Sequence, residues 1–152
     1  MSEPDHLTLA PMAAKLQQWR VLSTEDREAL LALPFRVIEL RPQEHVVREG
    51  DKPQNCCVIL SGYTIRHKIA GNGGRQIFSI HMNGDLADLQ NSLLGVADHN
   101  LQALTRVEAA LIPIEAIQEI AFDRPAIGRA MWYETLVDAS IFRGHRQPRS
   151  GR

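Results

Sequence analysis

The residues from Asn83 to Leu104 hold a set of side chains able to do chemistry. Asn83-Gly84-Asp85 is a polar turn, and Leu86, Leu89, Leu93 and Leu94 follow it at helical spacing. Ala97-Asp98-His99-Asn100 then breaks the pattern before an alternating strand begins. A glycine turn, a short helix and a polar end form the outline of a loop that wraps a phosphate. Its candidate ligand contacts are Gly84, Asp85, Asp88, Leu89, Gln90, His99 and Asn100. Such loops set backbone amides and a cation against an oxyanion. Between Gly84 and Leu104, however, there is no Arg or Lys, and a phosphate beside Asp85 and Asp88 is electrostatically unfavourable. Read as an acid/base pair the two carboxylates are weak candidates; the plainer expectation is that one caps the short helix while the other faces solvent.

Other chemistries fit less well. A metal-dependent enzyme of the cupin type needs an imidazole cluster, commonly His-x-His with a nearby Glu. Here His45, His67, His81 and His99 are scattered and no His-x-His occurs. No cysteine precedes Cys56, where an iron–sulfur sensor needs several. His67, His81 or Cys57 are nominal axial ligands for a haem, but nothing else in the chain points to one. Cys56 and Cys57 are adjacent, so on a strand they face opposite sides and do not bond each other. Neither has a basic neighbour in sequence to lower its pKa, which favours apolar packing over redox chemistry. The expectation is no catalytic residue, no metal and no cofactor.

These residues must be positioned by the elements around them. The chain has 152 residues, 44% hydrophobic and 23% charged, with a formal net charge of −1. That suits one domain with a real core and supplies no global field for nucleic acid. Acids rather than basic residues open the chain, no apolar run approaches membrane-spanning length, and the cysteines form no disulfide framework, so the reading is a cytoplasmic protein. Residues 1–34 read as helical, with Ser23 capping a helix that Pro34 ends. From residue 35 the period changes to two, with strands at 35–40, 45–48, 56–60, 63–69, 76–81, 101–105 and 108–113. Turns rich in Gly, Pro and Asn separate them, notably Ala70-Gly71-Asn72-Gly73-Gly74. Short strands at this spacing predict a mainly β fold, a jelly roll or double-stranded β-helix, over residues 35–122.

A long helix is predicted over residues 123–143, with Pro125 in its first turn. It is apolar on two sides, so one side is left for a partner chain. The expected homodimer interface is Ile127, Met131, Trp132, Leu136, Ala139 and Phe142. The basic stretch 144–152 has no apolar period and reads as a flexible tail.

The ordered set of motifs resembles a known family. "EGDKP", "CCVILSG", the glycine-rich hairpin, "GD" with a short helix, a strand pair and a two-sided helix are similar in order to the cyclic-nucleotide-binding-like β-roll of Crp/Fnr bacterial transcription regulators. The resemblance runs over residues 30–142. It implies an effector-sensing and dimerisation domain, with DNA contacted only through a helix-turn-helix domain that "RGHRQPRSGR" cannot supply. In the family's nucleotide binders, Gly-Glu follows the Gly-Asp and Arg-Ser or Arg-Thr ends the cassette. Here those positions are Asp88-Leu89 and His99-Asn100. The resemblance therefore implies that the outline is kept while the cyclic AMP chemistry is gone, unless Arg66 or Arg75 brings the cation from another strand. The competing expectations are an unknown small-molecule effector, a small cupin-type enzyme, and a ligand-free dimerisation scaffold; none involves a membrane.

Overall fold

The computed structural model describes residues 6–90 and 95–146, with side chains as far as Val137. Two short helices come first, α1 (Ala10–Leu16) and α2 (Thr24–Leu31). Seven strands follow: β1 (Arg36–Leu40), β2 (His45–Val47), β3 (Asn55–Ser61), β4 (Thr64–Ile69), β5 (Arg75–His81), β6 (Asn100–Ala103) and β7 (Val107–Pro113). Then come α3 (Ile114–Asp123) and α4 (Pro125–Arg146). Among the described residues no helix is long and apolar enough to cross a membrane.

The strands form two antiparallel sheets, β1-β7-β3 and β2-β6-β4-β5. The fold is thus the β-roll expected from the period-two segments and their turns. Residues alternate across each strand, and the alternation divides the core. Cys57, Ile59, Ala109 and Leu111 point into the roll and meet Val47, Leu101 and Ala103 of the other sheet. Cys56, Val58, Ala110 and Ile112 point the opposite way and meet the helices through Leu30, Ile117, Ile127 and Met131. The adjacent cysteines therefore belong to two different cores, both wholly buried and neither in a disulfide.

Ser23 accepts a hydrogen bond from the Asp26 amide at 3.0 Å, as a helix cap does. Its helix ends at Leu31, before Pro34, because the residues leading into a proline leave the helical region. The last helix runs three residues further than predicted, to Arg146, and residues 147–152 of the basic stretch lie outside the described residues.

The two sides of α4 also differ from the sequence reading. Ile127, Ala130 and Met131 lie on one stripe by their three- and four-residue spacing, and all three are buried in the protomer's own core. Ile127 and Met131 are thus taken by that core rather than left for a partner. Trp132, Tyr133 and Leu136 lie on the opposite stripe and are exposed, Trp132 by 59%. Ala139 and Phe142 fall outside the described side chains. Gly128 lets α3 and α4 cross closely: a Cβ there would sit 2.5 Å from the Ala121 carbonyl oxygen.

Candidate functional site

The segment opening at Gly84 adds to the free edge of β3. The Gly84 amide donates to the Ile59 carbonyl, Ile59 donates to Asp85, and Ala87 donates to Cys57. Leu86 bridges Val58. These bonds hold Asp85 and Leu86 against β3 between two turns, so the helical turn expected from Leu86 begins only at Leu89. Leu93 and Leu94 lie outside the described residues.

Gly84 has φ +91°, and its Cβ position would lie 2.9 Å from the Pro11 carbonyl oxygen. Its role is close packing under α1, not the approach of a ligand.

Neither carboxylate behaves as expected. Asp85 caps no helix. It accepts from the Met82 amide at 2.8 Å and from Lys15 of α1 at 2.5 Å, with His81 Nδ1 at 3.6 Å. Burial opposes its charge, but the bonds from His81, Lys15 and Met82 win and hold it at about 2. Asp88 does not face solvent; it is 2% exposed. Its Oδ1 accepts from the Cys57 amide at 2.7 Å, continuing the β3 edge with a side chain, while Oδ2 has no partner among the described residues. Burial pushes the Asp88 carboxyl up to about 6 against these hydrogen bonds. The sign follows from proton linkage: the folded state holds this proton more tightly than the unfolded chain, so Asp88 lowers stability as pH rises from 3.8 through about 6.

A guanidinium from β4 reaches the same segment. Arg66 stands opposite Leu101 of β6 and Ser79 of β5, on the face that points into the roll, and is 6% exposed. It donates to Gln90 Oε1 at 2.9 Å, across the cassette. His99 lies near this guanidinium. Its ring meets Phe78 edge-on, with centroids 4.6 Å apart, and its Nδ1 pairs with Asp98. Burial lowers the His99 pKa, Asp98 opposes this, and the charges of Arg66 and Lys68 lower it further. Phe78 reaches the interior because the β4–β5 register shifts between Arg66 and His67, which turns an extra β5 residue inward.

Of the seven candidate contacts, Gln90 and His99 converge with Arg66. Asp88 sits at the β3 edge. Leu89 is buried among the helices, Asp85 faces α1, and Asn100 accepts from the Glu49 amide at 2.9 Å to tie down the turn after β2. The sequence set omitted Phe78. Arg66 was visible as a basic residue two positions from other polar side chains on β4, but that spacing ordinarily marks a solvent face.

Comparison with known proteins agrees with this architecture. The family model described as "Cyclic nucleotide-binding domain" matches residues 37–124. The transcriptional activator protein Anr of Pseudomonas protegens is 27% identical over 124 residues, which cover 82% of this chain and 49% of Anr. The chain thus spans about half the length of the curated relatives it matches. A cyclic nucleotide-binding domain from Methylobacillus flagellatus superposes with a TM-score of 0.72 at 15% identity, covering 89% of this chain and 78% of that one. FixK2 from Bradyrhizobium japonicum superposes with a TM-score of 0.67 at 18% identity, over 75% of this chain and 57% of its own. At these identities the solved structures speak for the fold alone.

Proposed function

The chain belongs to the cyclic nucleotide-binding domain family, and from that premise we propose that it is the effector-sensing and dimerisation domain of a Crp/Fnr-type transcription regulator whose effector is not cyclic AMP. One observation carries the second half of this reading. Arg66 donates to Gln90 and lies near His99, whose ring meets Phe78, while a buried carboxylate, Asp88, falls where the family resemblance puts the second glycine of a nucleotide cassette. A guanidinium beside an aromatic ring and two polar side chains suits a small anionic ligand with an apolar body. The proposed role is binding rather than catalysis, in the cytoplasm, with DNA contacted through a helix-turn-helix domain that these 152 residues do not supply. The relation to Anr supports the regulatory half.

A thermal-shift screen of small anionic metabolites tests the site. A ligand at a hundred times its Kd stabilises the folded state by about 2.7 kcal/mol. For a domain of this size that raises the melting temperature by roughly 5–10 °C. The rise should disappear in Arg66→Gln. A ligand whose effect survives Arg66→Gln would place the site elsewhere, and a silent screen would favour a ligand-free scaffold.

The proposed partner is a second copy, seated on the exposed stripe of α4. Trp132 and Leu136 are four residues apart and 59% and 44% exposed, next to Tyr133 at 42%. Sedimentation should give a dimer at micromolar concentration and a monomer for Trp132→Glu. Trp132 is the informative position, because a charge at the buried Met131 would disturb the protomer itself. A wild-type monomer at those concentrations would refute the assignment.

A further inference from the structure

A second cluster of nitrogen-bearing side chains lies on the opposite face of the four-stranded sheet, outside the roll. The register sets His45 of β2 opposite Gln102 of β6, and Gln102 opposite Ile65 of β4. Gln102 alternates with Leu101 and Ala103, which point inward, so this row points outward. His67 of β4 lies on the same outward face, with its ring centroid 6.0 Å from that of His45. Arg75, the first residue of β5, donates from Nη1 to Gln102 Oε1 at 3.0 Å, and Gln102 Nε2 donates to the Gln43 carbonyl at 2.8 Å.

His67 is only 2% exposed, yet neither of its ring nitrogens makes a hydrogen bond of good geometry among the described residues, the nearest polar group being the Gln102 amide. Burying a donor and an acceptor unmet is costly, so such a ring is usually matched to something the protein chain does not provide. The charges say what. Arg75 acts on His67, and Arg48 acts on His45. The carboxylates nearest in sequence are turned to other groups: Glu44 to the Arg41 amide, Asp51 to the Arg48 amide, Glu49 to Lys68.

From this juxtaposition we propose that His67, His45 and Arg75 form an oxyanion-binding site on the outer face of the β-roll, separate from the pocket at Arg66. The ligand is a phosphate-like or carboxylate group accepting from the Arg75 guanidinium and from imidazole N–H donors, with Gln102 holding Arg75 in place. The groups facing it are the two imidazoles, Arg48, Arg75 and the neutral Gln102. Desolvation, Arg48 and His67 hold His45 below its ordinary value, and desolvation and Arg75 hold His67 below its own, partly offset by Gln102. A bound anion reverses the charge effect and favours the protonated rings, so binding strengthens as pH falls.

Inorganic phosphate is the probe, titrated against chloride at matched ionic strength at pH 6 and pH 8, with melting temperature and histidine side-chain NMR as readouts. The expected result is stabilisation by phosphate that is larger at pH 6, with the His67 and His45 resonances titrating at higher pH in its presence. Arg75→Gln and His67→Gln should each lose the response, while Arg66→Gln keeps it, which separates this site from the interior pocket. An equal response in Arg75→Gln, or no phosphate effect at either pH, overturns the proposal. So does a response only to zinc ions that is lost in His45→Ala and His67→Ala, which would make the pair a metal site.

Discussion

Calorimetry with cyclic AMP at pH 7.5 should give no measurable heat of binding. A charge-assisted hydrogen bond contributes about 1.5–3 kcal/mol, and two such bonds are missing if the cassette positions correspond. In the placement that the resemblance implies, His99 stands where the family's nucleotide binders have arginine. Leu89 stands where they have glutamate, and it is buried among the helices. Every ~1.4 kcal/mol is tenfold, so the two losses remove about two to four decades of affinity. Arg66 is the counterweight, since it brings a guanidinium into the same pocket, but it enters from β4 and is already bonded to Gln90. The pH dependence has a definite sign. Asp88 sheds its charge as pH falls through about 6, and His99, held low by burial, gains its proton at more acidic pH than an exposed histidine. Both changes favour an anion, so any affinity should appear at pH 5 before it appears at pH 7.5. Micromolar binding at pH 7.5 that Arg66→Gln abolishes would show that Arg66 replaces the cassette arginine in full.

Gly62→Ala should destabilise the fold by about 3–5 kcal/mol, from backbone strain and overpacking together. The residue joins β3 to β4 at φ +84°, and a Cβ there would stand 2.1 Å from the Arg106 carbonyl oxygen. That contact is backbone against backbone, and it cannot be relieved by a rotamer change. The turn it belongs to is docked on the β6–β7 turn, with Leu104 donating to the Tyr63 carbonyl and the Tyr63 amide to Thr105 Oγ1. For a domain of this length the melting temperature should fall by roughly 10 °C or more. Gly50→Ala is the control. Its φ is +95° but nothing lies within 4 Å of the Cβ position, so only the conformational strain of about 1–2 kcal/mol applies. If the two variants melt together, the clash at Arg106 is not the dominant effect.

Much of the fold was legible because strand periodicity and turn chemistry agree. Apolar alternation marked all seven strands, and Gly73 of the glycine-rich hairpin takes the positive φ that its type permits. The site was less legible because β4 and β5 invert the usual rule. In Thr64-Ile65-Arg66-His67-Lys68-Ile69 the isoleucines look like the core face; Ile65 is buried, but Ile69 is 57% exposed, with Ile77 at 48% and Ile80 at 55% on β5, while Arg66 is buried. The roll keeps polar groups inside, and periodicity alone gives the spacing of a strand's two faces without saying which one is enclosed. The misplaced Met131 has a simpler cause. On a helix, residues 127, 130 and 131 share one stripe, and a helical wheel puts Met131, about 100° from Trp132, near the boundary between the two apolar sides, where it can be assigned to either. Asp88 was unreadable in another way, since its partner is the backbone amide of Cys57, which no side-chain pattern reports.

The order β1-β7-β3 has a consequence for how the chain is made. β1 and β3 do not pair with each other; the strand both bond is β7, which is translated after both, while the other edge of β3 meets the segment 84–87. At about 5–20 residues per second, roughly 3–11 s separate the synthesis of Cys56 from that of Pro113. Until β7 is made, β3 can bond only the segment 84–87 on its other edge, and the two thiols that end up wholly enclosed are open to oxidants and to other nascent chains. The β4–β5 hairpin, by contrast, can close as soon as it clears the ribosome. The sheet carrying the polar pocket therefore starts to assemble first, and the sheet that seals the cysteines waits for the last strand.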